Sequence, residues 1–217
     1  DSPDGDQGFP GELKISVKYT LTKENAVDIL YAVTSDRDTP VNMTNHAYFK
    51  LGGHASGSVL DTRIQILADS FTPTDADSIP TGEVLTVEGT PMDFRTPKTI
   101  GTDIGSDYIQ IVQGKGFDHN WCLNHAPGVC GLAAMRIMAS GRAMDVYTDL
   151  PGVQFYTGNW LGGEKGKDGA SYEDRDAFCF ETQMYPDSVN HPQFRRLLVK
   201  AGTAHVTRTS YRFYIGK

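Results

Sequence analysis

Residues 14–34 read KISVKYTLTKENAVDILYAVT, and their period decides the fold. Ile15, Val17, Tyr19 and Leu21 alternate with Lys14, Ser16, Lys18 and Thr20; Val27, Ile29, Tyr31 and Val33 repeat the pattern. A period of two puts successive side chains on opposite faces of an extended chain, so both runs are strands with one apolar face. Working outward, RIQILA (63–68), VLTVEG (84–89), AMDVYT (143–148), VQFYTG (153–158), AFCFETQ (177–183) and SYRFYI (210–215) are short and rich in β-branched or aromatic residues. Gly, Pro, Asn or Asp bounds them. AAMRIMA (133–139) meets SGRAMDVYT (140–148) across a Ser140-Gly141 corner, which predicts a hairpin. No window of eleven residues carries a helical stripe, and 23 glycines and 11 prolines interrupt the candidates. Strand after strand with turns between them predicts an all-β fold, an antiparallel sandwich or barrel. Two long connections, 70–82 and 161–175, are read as structureless loops of the kind that carries binding residues.

The chain has 217 residues, a length that one all-β domain spanning 1–217 accommodates. A net charge of −7 without a Lys/Arg-rich run excludes nucleic acid as the main partner; Arg195-Arg196 with Lys200 is the nearest approach to a basic patch. No apolar run is long enough to span a membrane. Three cysteines without a CxxC pair suit a reducing compartment, hence a cytoplasmic location. Asn42-Met43-Thr44 fits the glycan acceptor pattern but lies next to a candidate functional histidine. The chain opens on DSPDGDQGFPGE, a Gly- and Pro-rich loop, and is read as a piece of something longer.

Four constellations carry chemistry: His46 in TNHAYFKL, Asp118 in GKGFDHNW, Gln154 in PGVQFYTGNW, and Glu181 with Gln183 in FCFETQMYPDSVNHP. Each has a plainer reading. Asp118 also suits a turn, Gln154 an outward strand position, Glu181 ordinary solvent-side alternation, and His46 a polar strand end. His119 and His125 lack a third ligand at a finger-like spacing, so no metal is expected. Phosphate-cradling glycine motifs and a GxSxG elbow are absent, so neither a nucleotide cofactor nor a serine nucleophile is expected. Imidazole, carboxylates and amides beside aromatic rings suit a sugar, whose hydroxyls donate and accept while its C–H face packs on rings.

TNHAYFKLGG (44–53), PTGEVLTVEGTPMDFR (80–95), GFDHNW (116–121), SGRAMDVYTDLPGVQFYTGNWLGG (140–163) and ETQMYPDSVNHPQF (181–194), in that order, closely resemble the aldose 1-epimerase (galactose mutarotase) family. The likeness runs from about Gly5 to Phe213. It implies a large antiparallel β-sandwich of the mutarotase type, lacking here its N-terminal strands. It also implies interconversion of the α and β anomers of an aldohexose such as galactose or glucose, without cofactor or metal. Glu181 matches the general base and His46 the general acid, with Tyr48 and Phe49 packed behind it. Asp118, Gln154 and Asn45 match sugar-binding positions. The family pattern places a substrate-binding Arg and a second His in a segment preceding Asp1. His54, in LGGHASG, does not match that second His. The expected partners are therefore an aldose and an N-terminal fragment of the same protein. A non-catalytic sugar-binding domain, or an isomerase of another hemiacetal, stays open. QFRRLLVKAG (193–202) departs from the family, which has prolines there.

Overall fold

The computed structural model describes residues 1–126, 128–137 and 141–216. Strands are β1 (Leu13–Leu21), β2 (Ala26–Ser35), β3 (Thr39–Pro40), β4 (Tyr48–Phe49), β5 (Arg63–Ile66) and β6 (Ala68–Thr72). Next come β7 (Leu85–Thr86), β8 (Lys98–Thr99), β9 (Asp118–Leu123), β10 (Gly131–Ile137), β11 (Arg142–Thr148) and β12 (Gly152–Tyr156). The last are β13 (Glu164–Lys165), β14 (Ser171–Tyr172), β15 (Phe178–Gln183), β16 (Leu198–Val199) and β17 (Ala204–Ile215), and one short helix, α1 (Ile109–Gly114), precedes β9.

Seven strands form one sheet in the order β1-β2-β17-β11-β10-β5-β8, and six form a second in the order β4-β15-β12-β9-β6-β7. Neighbours in both sheets are antiparallel, as the alternating pattern predicts. β10 and β11 pair as expected, although residues 138–140, including the serine of the predicted corner, lie outside the described residues. Ile29, Tyr31, Ile64, Ile66, Met144, Val146 and Tyr211 of the first sheet meet Phe71, Trp121, Phe155, Phe178 and Phe180 of the second in one core. Full burial of such a side chain is worth ~1.5–3 kcal/mol, so the aromatic layer holds the sheets face to face. Two polar ties cross between the sheets: Tyr211 Oη donates to the Phe180 carbonyl at 2.8 Å, and the Thr182 and Thr209 hydroxyls share a hydrogen bond.

The apolar face of β1 behaves differently. Ile15, Val17, Tyr19 and Leu21 lie opposite Val33, Tyr31, Ile29 and Val27 on the core side of the first sheet. Of their partners on β2, Ile29, Tyr31 and Val33 are buried and Val27 is half-buried, but the four β1 residues are 43–80% exposed.

The long connections also differ from their reading as structureless loops. Residues 70–72 belong to β6, and β13 pairs with β14 inside 161–175. Strands of two residues leave no alternation for a sequence reading to detect.

Candidate functional site

The cleft is laid out by the register of three strands. Gln154 lies opposite Glu181 on β15 and Asn120 on β9, while Tyr156 lies opposite Cys179 and Asp118. Alternation sends Phe178, Phe180, Val153, Phe155 and Trp121 into the core. The same alternation turns Cys179, Glu181, Gln183, Gln154, Tyr156, Asp118 and Asn120 to the opposite face. Glu181 and Gln183 thus share a face, as read from the sequence, but Glu181 is only 8% exposed and does not belong to a solvent-side row.

Each motif has a local reason. Gly116, at φ +138°, has no room for a side chain: a Cβ there would lie 2.6 Å from Asn159 Oδ1. Asn159 Nδ2 donates to the carbonyls of Gly114 (2.8 Å) and Phe117 (3.2 Å), and Arg175 Nη1 donates to Asn159 Oδ1 at 2.7 Å. The Asn of TGNW therefore clamps the GKG turn that aims Asp118. Asn42 tethers the segment before His46 to the end of β15, accepting from Met184 N (2.9 Å) and donating to Met184 O (3.1 Å). That amide is thus engaged with Met184.

Within the cleft His46 Nε2 lies 3.5 Å from Glu181 Oε1, and His46 Nδ1 lies 3.4 Å from Cys179 Sγ. Gln154 Nε2 donates to Asp118 Oδ1 at 2.8 Å, and Gln183 Nε2 donates to Gln154 Oε1 (3.2 Å) and Asn120 Oδ1 (3.3 Å). The cleft holds about 400 Å³ and is lined by His46, Tyr48, Asp118, Gln154, Tyr156, Trp160, Glu181, Gln183 and Pro186. Tyr156 stacks on Trp160 at 6.1 Å, and Tyr48 lies 5.1 Å from the His46 ring. Tyr48 accordingly stands beside His46 on the open face, and only Phe49 packs behind it against Phe178 and Tyr211. Adjacent residues of a strand cannot both face the core, which corrects the expectation for this pair.

Burial governs the charges. It pushes Glu181 up to about 7, partly offset by His46 and reinforced by Asp118. It also raises Asp118, which the Gln154 hydrogen bond and His46 counteract. The Cys179 thiol is raised by burial and by the Glu181 and Asp118 carboxylates.

His46, Asp118, Gln154 and Glu181 therefore converge. Asn45 does not line the cleft: its Oδ1 accepts from Ala47 N (3.1 Å) and its Nδ2 donates to Tyr19 Oη (3.2 Å), bracing the turn that presents His46. His54 lies elsewhere, against Tyr172 and Asp168. His119 points into the core, edge-on to Phe71 and Trp121, and burial pushes it down to about 4. Tyr156, Trp160 and Cys179 were not read as site residues in the sequence; alternation from Gln154 and Glu181 is the signal that places Tyr156 and Cys179.

Comparison with known proteins gives the family. A family model, that of aldose 1-epimerase, matches residues 1–212. The chain belongs to the aldose 1-epimerase family. Among aldose 1-epimerase relatives, the galactose mutarotase of Mus musculus is 46% identical over 215 residues, covering 99% of this chain and 61% of that protein. The aldose 1-epimerase of Escherichia coli (strain K12) is 39% identical over 216 residues, covering 98% of this chain and 62% of its own length. The chain thus spans about three fifths of the length of these relatives. Among solved structures, the galactose 1-epimerase of Lactobacillus acidophilus NCFM superposes with a TM-score of 0.85 at 30% identity, covering 100% of this chain and 61% of that one. An aldose epimerase homologue from C. elegans gives 0.87 at 25% identity, covering 99% and 64%.

Proposed function

We propose that the protein containing this chain interconverts the α and β anomers of an aldohexose such as galactose or glucose. The observation that carries this reading is the approach of His46 Nε2 to Glu181 Oε1, at 3.5 Å, on the floor of a cleft edged by Asp118 and Gln154.

Glu181, ionised at the start, takes the proton of the C1 hydroxyl. His46, protonated at the start, gives a proton to the ring oxygen as the C1–O bond breaks, leaving the open-chain aldehyde. Rotation about C1–C2 presents the other carbonyl face. The chain hydroxyl then returns its proton to His46 as it closes on C1, and Glu181 returns its proton to the new anomeric oxygen. A base held near neutrality by burial suits this exchange, because proton transfer in both directions is fastest when the pKa lies near the operating pH. Asp118 and Gln154 hold sugar hydroxyls, and Tyr156 with Trp160 offers a ring surface for the C–H face. Asn45, read from sequence as a ligand, acts instead by fixing the loop of His46.

We take residues 1–217 as one unit of the family domain, completed by an N-terminal portion of the same protein that covers the exposed face of β1. Free Cys122, Cys130 and Cys179 support a reducing, cytoplasmic setting. No helix among the described residues is long and apolar enough to cross a membrane.

The test is polarimetry of freshly dissolved α-D-galactose with the full-length protein. Its rotation should relax faster than the buffer blank, and Glu181→Gln should lower kcat by at least ~10²-fold with KM within several-fold. Unchanged turnover in Glu181→Gln would remove Glu181 as base, and relaxation at the blank rate would favour a sugar-binding domain.

A further inference from the structure

The proton transfers proposed above use His46 and Glu181 but give no part to the thiol between them. Cys179 and Glu181 are two residues apart on one face of β15, and His46 leans over both. One donor atom from each of the three lies within 4.8 Å of the other two, and no other trio of His, Cys, Asp and Glu among the described residues converges in this way. We propose that His46, Cys179 and Glu181 form a binding site for a zinc-class divalent cation, and that its occupancy disables the acid and base of the cleft.

The donor set makes the choice of metal. Zinc binds thiolate sulfur at ~2.3 Å, imidazole nitrogen at ~2.0–2.1 Å and carboxylate oxygen at ~2.0–2.2 Å, preferring a tetrahedron. Donors on such a tetrahedron stand roughly 3.3–3.7 Å apart, so the trio must contract by about 1 Å at its widest. Two of the three are set in place: β15 is tied to the other sheet at Phe180 and Thr182, which flank Glu181. The third can turn about its side-chain torsions, since the His46 side chain is 52% exposed, while Asn42 and Asn45 brace the backbone that carries it. Three protein donors leave a fourth position open to the cleft, the arrangement of a site that accepts an exogenous ligand. Thiolate and imidazole select zinc, cobalt(II) or copper over magnesium and calcium, which require oxygen donors. Bound metal would occupy the lone pairs that must accept and return protons, so the cleft would lose both functions together. The consequence for turnover rests on the anomer-interconverting reading, but the metal site itself does not.

The experiment is calorimetric titration of zinc into metal-free full-length protein at neutral pH without sugar, repeated with magnesium and with the variants Cys179→Ser and His46→Ala. We expect saturable zinc binding at one site, no magnesium binding at the same concentrations, and an affinity loss of at least about tenfold in each variant. Cobalt(II) should give a thiolate charge-transfer absorption that Cys179→Ser abolishes. His46 is half exposed, so its variant tests the site even if the buried serine disturbs folding. Parent-like zinc affinity in both variants would overturn the proposal. A final titration in saturating D-galactose separates the two readings. Weaker apparent zinc affinity supports both, while zinc binding indifferent to galactose leaves the metal site standing and counts against the sugar.

Discussion

At the scale of the residue, Glu181 combines its proposed role as base with a cost to stability. Its folded pKa, pushed up to about 7, lies above the ordinary carboxylate value, so the native state holds the proton more tightly than the unfolded chain. Its contribution is therefore most favourable below the ordinary value and is lost as pH rises from ~4.3 to about 7. Above neutrality the ionised group therefore costs stability relative to an unperturbed one. His119, pushed down to about 4, acts in the opposite sense, because the unfolded chain binds its proton more tightly over the overlapping range. The readout is thus the difference between parent and variant. Glu181→Gln should raise the melting temperature above neutrality and have less effect in acid; equal shifts at both would contradict the burial argument. Asp118→Ala should raise KM for galactose by about tenfold or more, as expected for a lost charge-assisted hydrogen bond, with a smaller change in kcat. An unchanged KM would take Asp118 out of sugar binding. Residue types picked out these carboxylates and His46 as candidates for sugar chemistry, and motif resemblance gave their roles. Local pattern alone left Glu181 equally readable as a solvent-side residue, because alternation identifies a face but does not say whether that face is dry.

At the scale of the element, strand register sets the site. Gly152 shows how tightly: an added Cβ would fall 2.3 Å from Asn120 Oδ1 and 3.2 Å from Tyr185 Cδ1. Gly152→Ala should therefore displace the Asn120 amide that accepts from Gln183 and destabilise the protein by ~1–3 kcal/mol, measured as a shift in the urea midpoint. A neutral result would mean that β9 and β12 separate more freely than their pairing implies. The strands themselves were readable from period two, and so was the pairing of 133–137 with 142–148. The β13–β14 hairpin was not, since two-residue strands carry no pattern. Tyr48 was placed behind His46 because two neighbouring aromatics look like core in sequence; the pleat separates them. Asn45 looked like a ligand because it stands next to His46, whereas its hydrogen bonds go to Ala47 and Tyr19.

At the scale of the molecule, the exposed row on β1 calls for a cover. If the remaining portion of the family domain packs there, Leu21→Lys should lower the melting temperature of the full-length protein, at a cost of ~1–3 kcal/mol for the lost burial. The isolated 1–217 chain should hardly respond, since Leu21 is 80% exposed in it. Equal responses would place the cover elsewhere. The sequence pointed to this uncovered face through resemblance, while charge and composition bore only on excluded partners. The two cross-sheet ties beside Glu181, from Tyr211 to Phe180 and from Thr209 to Thr182, have a dynamic consequence. They clamp β15 on both sides of Glu181, so the amides of β15 should exchange with solvent only when the whole sandwich opens. The turn before His46 is braced by Asn42 and Asn45, but its imidazole is half exposed and lies outside the cross-sheet clamp. The proposed acid–base pair is thus mechanically unequal, a stiffly held carboxylate facing a more mobile imidazole, and in the proposed reaction the imidazole is the member able to follow the ring oxygen as the sugar opens and closes.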